Sequence, residues 1–326
     1  MKGRVLVIDD DAGTRQDIAS GLAARGYDVA CCADGVSAIR LLFGDNNKVK
    51  PFTHIVADMF LPDMDGLKIL EAARIRQPDM PVLLLSEYVD GVGEKTVVSE
   101  PNAARLEKPF DFSGFLKAFE ELSPGSGEAG TTVEAADSAP ESAAAYLAIR
   151  VNERERRPEV LKEIREMEGV KSCDAVRGCF DIVVVAQGLA CDRIEGLQKR
   201  ISALQGAEIV FAQNVFRPEF DRELDEFIRV YLRRDKARES KEAQEQFGRT
   251  GYLFADIDNN ELARIFITVF SSDEVIFCDV TNDGRGLAAW FEIKEAVGVA
   301  PRIIEKLRRI DGVLRTREAT VIRLED

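Results

Sequence analysis

Histidine is almost missing from these 326 residues: His54 is the only one. The six cysteines, at 31, 32, 173, 179, 191 and 278, include no Cys-x-x-Cys pair. Zinc and c-type haem need clusters of such ligands, so neither is expected. Long apolar runs are missing too. Ala143–Ile149 and Ile182–Ala186 are the longest, at about seven residues or fewer, against roughly 20 for a membrane-spanning helix. The first eight residues run into Asp9-Asp10-Asp11 without the apolar stretch of a signal peptide. Positive charge is in deficit, with 44 Lys and Arg against 58 Asp and Glu, a net charge of −14. That balance disfavours nucleic acid and anionic membranes as partners. A cytoplasmic protein with reduced thiols is expected, and Cys31 and Cys32, in an apolar run, read as core thiols.

What is present is ordinary globular composition, 45% hydrophobic and 31% charged. The length exceeds one core and calls for two or three domains. Residues 123–144 hold four acids, no basic residue and almost no large apolar side chain. Nothing there offsets the entropy of ordering, so the stretch reads as a flexible linker. No remaining segment is strongly basic; residues 145–218, the most balanced, carry 12 basic and 11 acidic residues.

Residues 1–122 alternate short apolar runs with helical patterns. Strands are expected at Val5–Ile8, Tyr27–Cys32, His54–Ala57, Pro81–Leu85 and Ala104–Leu106, with helices between and after them. Five strands alternating with helices make an α/β fold, a doubly wound five-stranded parallel sheet. Ligand chemistry in such a sheet belongs at the C-terminal strand ends. There the sequence sets Asp9, Asp10 and Asp11 after the first strand, Asp58 after the third, Ser86 after the fourth and Lys108 after the fifth. Carboxylates gathered from two strand ends repel unless a cation sits among them. Hard oxygen ligands at an incomplete site suit Mg²⁺, completed by water and a phosphate oxygen. A hydroxyl and an ammonium would hold the remaining phosphoryl oxygens. The pattern is that of a metal-assisted phosphoryl acceptor with a carboxylate nucleophile.

These motifs, Arg4-Val-Leu-Val-Ile-Asp-Asp10, His54-Ile-Val-Ala-Asp-Met-Phe-Leu-Pro-Asp-Met-Asp-Gly66, Val82-Leu-Leu-Leu-Ser86 and Lys108-Pro-Phe110, resemble the receiver domain of two-component response regulators. The resemblance implies a flavodoxin-like fold and makes Asp58 the phosphoacceptor. Asp9, Asp10, Asp58 and the backbone carbonyl of Phe60 become metal ligands, Ser86 the switch hydroxyl and Lys108 the phosphate-pairing lysine. Asp11 is expected to face solvent and His54 to be structural. Two departures stand out. Arg105 occupies the position where the family has a switch aromatic, and Tyr88–Pro101 shows little helical periodicity where the family has a helix. Phe60 and Tyr88 sit at positions that tune phosphate lifetime in the family, and two rings there are expected to obstruct the attacking water.

Residues 145–218 read as strand, helix, hairpin, helix, strand, and 249–326 repeat that order, giving two ferredoxin-like α+β modules. Leu204-Gln-Gly206 aligns with Ile310-Asp-Gly312 at an offset of 106, and Cys173-Asp174 with Cys278-Asp279 at 105, as a duplicated module would. Through Glu168-Gly-Val170, Gly178-Cys-Phe-Asp181 and Leu204-Gln-Gly206 the first module resembles the effector-binding domain of Lrp/AsnC regulators. That resemblance implies sheet-to-sheet dimers, with an effector site drawing on the hairpin residues Gly178, Phe180 and Asp181. No helix-turn-helix is visible. Between the modules, in 219–248, Phe220, Leu224, Phe227, Ile228 and Tyr231 fall at helical spacing and read as a connecting helix, either packed or in a coiled coil.

The expected function is a response regulator that takes phosphate from a histidine kinase or phosphotransfer protein. Its output would be a homodimer or a protein partner rather than DNA, and it is not expected to be an enzyme. The alternative is a sensor whose C-terminal modules bind an amino-acid-like molecule.

Overall fold

The computed structural model describes residues 2–44, 50–87, 102–122, 143–187, 191–231, 249–293 and 302–322. The 123–144 linker (up to residue 142), the stretch from Tyr88 to Pro101 and residues 233–248 therefore lie outside the described residues. The chain divides into two compact units, residues 1–134 with 220–244 and residues 135–219 with 245–326. No helix among the described residues is long and apolar enough to cross a membrane.

In the first unit, β1 (Arg4–Ile8), β2 (Asp28–Cys32), β3 (His54–Asp58), β4 (Val82–Glu87) and β5 (Ala103–Lys108) form a parallel sheet in the order β2-β1-β3-β4-β5. The apolar runs of β1, β3 and β4 are buried, as strands covered on both faces require. The helices are α1 (Ala12–Ala23), α2 (Gly35–Phe43), α3 (Gly66–Arg76) and α4 (Phe112–Glu120). Three begin on an aspartate that accepts a backbone N–H of the first turn: Asp11 from Thr14, Asp34 from Ser37 and Asp111 from Gly114. Asp11, expected merely to face solvent, is thus exposed and also starts α1. His54 is buried against Phe119, its ring 4.6 Å away, and burial holds its pKa down to about 4. Cys31 departs from expectation. It lies on the edge strand β2 and is exposed, while Cys32 is partly buried with its thiol pushed up to about 12.

The segment read as a connector between modules returns to this first unit. A helix over 222–231 lies on α2 and α3, with Leu224, Phe227 and Tyr231 buried along one face. Phe227 meets the Phe43 ring edge-on at 5.5 Å. Each such burial stabilises by about 1.5–3 kcal/mol relative to exposure, which settles the packed reading over the coiled coil.

The second unit holds two modules of identical element order. The first runs β6 (Ala143–Val151), α5 (Arg157–Arg165), β7 (Val170–Gly178), β8 (Ile182–Gln187), α6 (Cys191–Ser202) and β9 (Ala207–Phe216). The second runs β10 (Arg249–Ile257), α7 (Leu262–Phe270), β11 (Val275–Thr281), β12 (Gly286–Ile293), α8 (Arg302–Arg308) and β13 (Val313–Val321). Each forms an antiparallel sheet in which the first strand pairs with the third and the fourth.

The two sheets close into one eight-stranded barrel, β10-β12-β11-β9-β6-β8-β7-β13. Val215 and Phe216 of β9 pair with Thr281 and Val280 of β11 at one seam. Val176, Arg177 and Gly178 of β7 pair with Val321, Thr320 and Ala319 of β13 at the other. Alternation along the strands does the sorting. Leu147 and Ile149 pack outward with Val160, Ile164 and Leu197 of the helices, while Tyr146 and Ala148 face inward with Tyr252 and Phe254 of the other module. A dimer was expected, with module-to-module pairing within one chain as the rival; the edges pair within one chain. Both modules lie on one polypeptide, so their effective concentration is high and each exposed edge finds its mate in the same chain.

Candidate functional site

The C-terminal ends of β1, β3 and β5 bring Asp9, Asp10, Asp58 and Lys108 together, and Ser86 stands at the end of β4. Asp9 is fully buried, Asp58 nearly so, and Asp10 is exposed. One ligand oxygen from each of Asp9, Asp10 and Asp58 lies within 4.8 Å of the others. Lys108 Nζ donates to Asp58 Oδ2 at 2.8 Å and to Asp9 Oδ2 at 2.9 Å. Asp58 Oδ1 accepts the Phe60 N–H at 3.1 Å, and Asp9 Oδ1 the Asp11 N–H at 2.9 Å. Burial pushes the Asp9 carboxyl up and outweighs the lowering by Lys108. Burial also pulls Lys108 down, but the hydrogen bonds and charges of Asp58 and Asp9 outweigh it and raise the ammonium. One cation shared by two acids is well satisfied, and the buried Asp9 carboxyl is not. Such a donor set fits a small divalent cation with hard oxygen preference, and Asp9, Asp10 and Asp58 are the residues that would hold Mg²⁺.

Ser86 is fully buried at the end of β4. Its hydroxyl oxygen accepts a 2.6 Å hydrogen bond from Arg105 Nε, so the residue at the position where an aromatic was expected bonds to Ser86 itself. The Phe60 side chain is 48% exposed, which turns much of the ring towards solvent. Tyr88, its expected companion, lies outside the described residues.

Three participants escape a sequence reading. Arg15 donates to the backbone carbonyls of Asp9 and Asp10 and steadies the acidic turn. Asp63 is fully buried, and its two oxygens accept the Gly35 and Val36 N–H groups at 2.8 Å each, tying the loop after Asp58 to the start of α2. Gly66 begins α3 so close to Asp58 that an added Cβ would collide with the Asp58 carbonyl oxygen. Of these, only the glycine, after Asp65 at the head of a helical pattern, leaves a local sign in the sequence.

The hairpin residues proposed for an effector are engaged in the barrel. Gly178, at φ 152°, lies against β13, where a Cβ would be 3.0 Å from Ala319 Cα. Phe180 packs inside against Phe211 and Phe254. Asp181 accepts the Val151 N–H at 2.9 Å and forms an ion pair with Arg157. Each is accounted for by the packing of its own module or seam.

Residues 5–120 match the family model of the response regulator receiver domain. The chain is similar to the response regulator MprA of Mycobacterium ulcerans, 32% identical over 117 residues, covering 36% of this chain and 48% of that protein. MprA of Mycobacterium bovis matches over the same shares at 32% identity. The chain thus spans about half the length of the curated relatives it matches. Among solved structures it is similar to a receiver protein from Sinorhizobium medicae, at 26% identity and a TM-score of 0.32, over 37% of this chain and 93% of that one. The receiver domain of HemR from Leptospira biflexa matches at 27% identity and a TM-score of 0.33, over the same shares. The N-terminal domain is a response regulator receiver domain of the two-component class.

Proposed function

We propose that this protein is a response regulator phosphorylated on Asp58, with an output that does not involve DNA. One observation carries the reading: Asp58 shares Lys108 with Asp9, at 2.8 and 2.9 Å, beside a third carboxylate within ligand reach. A carboxylate oxygen of Asp58 attacks the phosphorus of a phosphohistidine on the kinase or phosphotransfer protein. The P–O bond forms as the P–N bond breaks, and the imidazole leaves with the electron pair. Mg²⁺, when bound, offsets charge on the phosphoryl oxygens. Lys108 neutralises Asp58 and then the transferred group, and Ser86 donates its hydroxyl to a phosphoryl oxygen. Water later attacks phosphorus and restores the carboxylate. No external substrate is turned over, so the protein is not an enzyme in the usual sense, and a cytoplasmic location suits a partner of a kinase domain.

The C-terminal unit is the output body. Its element and strand orders support two ferredoxin-like modules of Lrp/AsnC kind, fused so that one chain makes the sheet pairing which the resemblance assigns to two. Homodimerisation through those edges loses its basis, and a protein partner is the preferred output. The effector-sensor alternative is weakened by the interior, where the rings of Phe180, Phe211 and Phe254 stand 4.9–5.7 Å apart. Labelling by a small phosphodonor, read on a phosphate-retention gel, tests the assignment: Asp58→Asn should abolish the shifted band, and an unchanged band refutes it.

A further inference from the structure

The 222–231 helix follows the last strand of the first module in the chain, yet it is seated on the receiver. Its acids meet receiver cations: Asp221 lies 2.8 Å from Arg40 and Glu226 2.8 Å from Arg76. Lys68 Nζ, itself buried, donates to Tyr231 Oη at 3.1 Å, and Phe227 is enclosed against Phe43. The seat is therefore made by α2, through Arg40 and Phe43, and by α3, through Lys68 and Arg76, together.

Both helices are anchored on the loop that follows Asp58. Asp63 holds the first two N–H groups of α2, and Met64 fills the space beside Gly35 where a side chain would otherwise stand. α3 begins against the Asp58 carbonyl at Gly66, and Phe60 pairs with Asp65 across the loop. The loop is in turn held to the Asp58 carboxylate by the Phe60 N–H. Phosphorylation turns one carboxylate oxygen into the bridging oxygen of an acyl phosphate, a weaker acceptor, and replaces the single carboxylate charge with a phosphoryl group of about −1.5 to −2. The grip on the loop changes at Phe60, near its start, while the positions of α2 and α3 depend on its last residues.

We infer that the 222–231 helix is the readout of the phosphoacceptor: phosphorylation of Asp58 shifts α2 against α3 and loosens the helix from its seat. The seat needs Phe43 and Lys68 in register with Phe227 and Tyr231, and packed surfaces have discrete arrangements rather than elastic ones. A loosened helix frees the chain between the two modules, a direct route from receiver to output body that does not use the position taken by Arg105. The inference rests on the phosphoacceptor reading.

Hydrogen exchange of the full-length chain tests it, with Mg²⁺ and acetyl phosphate or with Mg²⁺ alone, and with phosphorylation of Asp58 scored by mass in the same samples. Amides of 222–231 should exchange threefold or more faster in the phosphorylated sample, while those of α5 in the second unit keep their rates. Full phosphorylation with unchanged or slower exchange in 222–231 overturns the inference alone. Equal acceleration in α5 overturns it too, since the effect would be general. Absence of phosphate on Asp58 brings down the phosphoacceptor reading and the inference with it.

Discussion

The Tyr146 hydroxyl on β6 donates to Asp279 Oδ2 on β11 at 2.9 Å, across the two modules of the barrel. Its counterpart by duplication runs the other way: Tyr252 on β10 donates to Asp174 Oδ2 on β7 at 2.6 Å. The two bonds cross-link the modules reciprocally. Burial pushes the Asp279 carboxyl up to about 6, against the lowering by Tyr146, Arg217 and Lys171. The folded chain therefore holds an extra proton between about pH 4 and 6. Asp279 lowers stability progressively as pH rises through that window, and its cost is constant above it.

Tyr146→Phe should accordingly cost more at pH 8, where a buried carboxylate loses its donor, than at pH 5, where Asp279 is protonated. About 1–3 kcal/mol is expected at pH 8 and about 1 or less at pH 5. Urea unfolding of the two proteins at both pH values measures the difference, and equal losses would show that Asp279 is not charged in the barrel.

Gly178→Ala should open the β7–β13 seam. The new Cβ meets the β13 backbone at Glu318 and Ala319, and the residue sits at positive φ. Backbone cannot yield as a flexible side chain can, so a loss of roughly 2 kcal/mol or more is expected in the unfolding of the second unit. A midpoint within error of the parent would mean that the seam is loose.

Arg105→Ala should shorten the life of the aspartyl phosphate. Ser86 accepts from Arg105, which polarises its O–H and fixes it while the proton points elsewhere. Without that bond the hydroxyl is a weaker, less oriented donor, and decay should be about two- to fivefold faster, roughly 0.4–1 kcal/mol of barrier. A single-turnover decay curve decides it; an unchanged rate would leave Arg105 a bystander.

Asp10→Asn should weaken Mg²⁺ binding at least several-fold while leaving the fold intact. Asp10 is an exposed member of the acidic group and packs into no core. Titration of Mg²⁺ against the phosphorylation rate gives the affinity, and an unshifted curve would remove Asp10 from the ligand set.

The site was legible because a parallel sheet collects its strand ends, so Asp9, Asp10, Asp58, Ser86 and Lys108 could be placed from order alone. The element order of the C-terminal modules was equally plain from period-2 and helical patterns. Asp63 was not legible, since its partners are backbone N–H groups of Gly35 and Val36, which leave no side-chain signature. Nor was the seat of the 222–231 helix: an amphipathic stripe states that Phe227 must be covered and not by what. The Cys173-Asp174 and Cys278-Asp279 repeats pointed to two like modules, but the meeting of Asp174 with Tyr252 and of Asp279 with Tyr146 depends on barrel closure. Strand edges that join far along the chain leave no local trace.

The central claim, that Asp58 is the phosphoacceptor of a metal-dependent receiver, is tested most directly by the mass of the intact chain after incubation with acetyl phosphate, with Mg²⁺ or with a chelator. The account predicts one added phosphoryl group with Mg²⁺, none with the chelator, and none in either condition for Asp58→Asn. Incorporation by Asp58→Asn equal to that of the parent would contradict it.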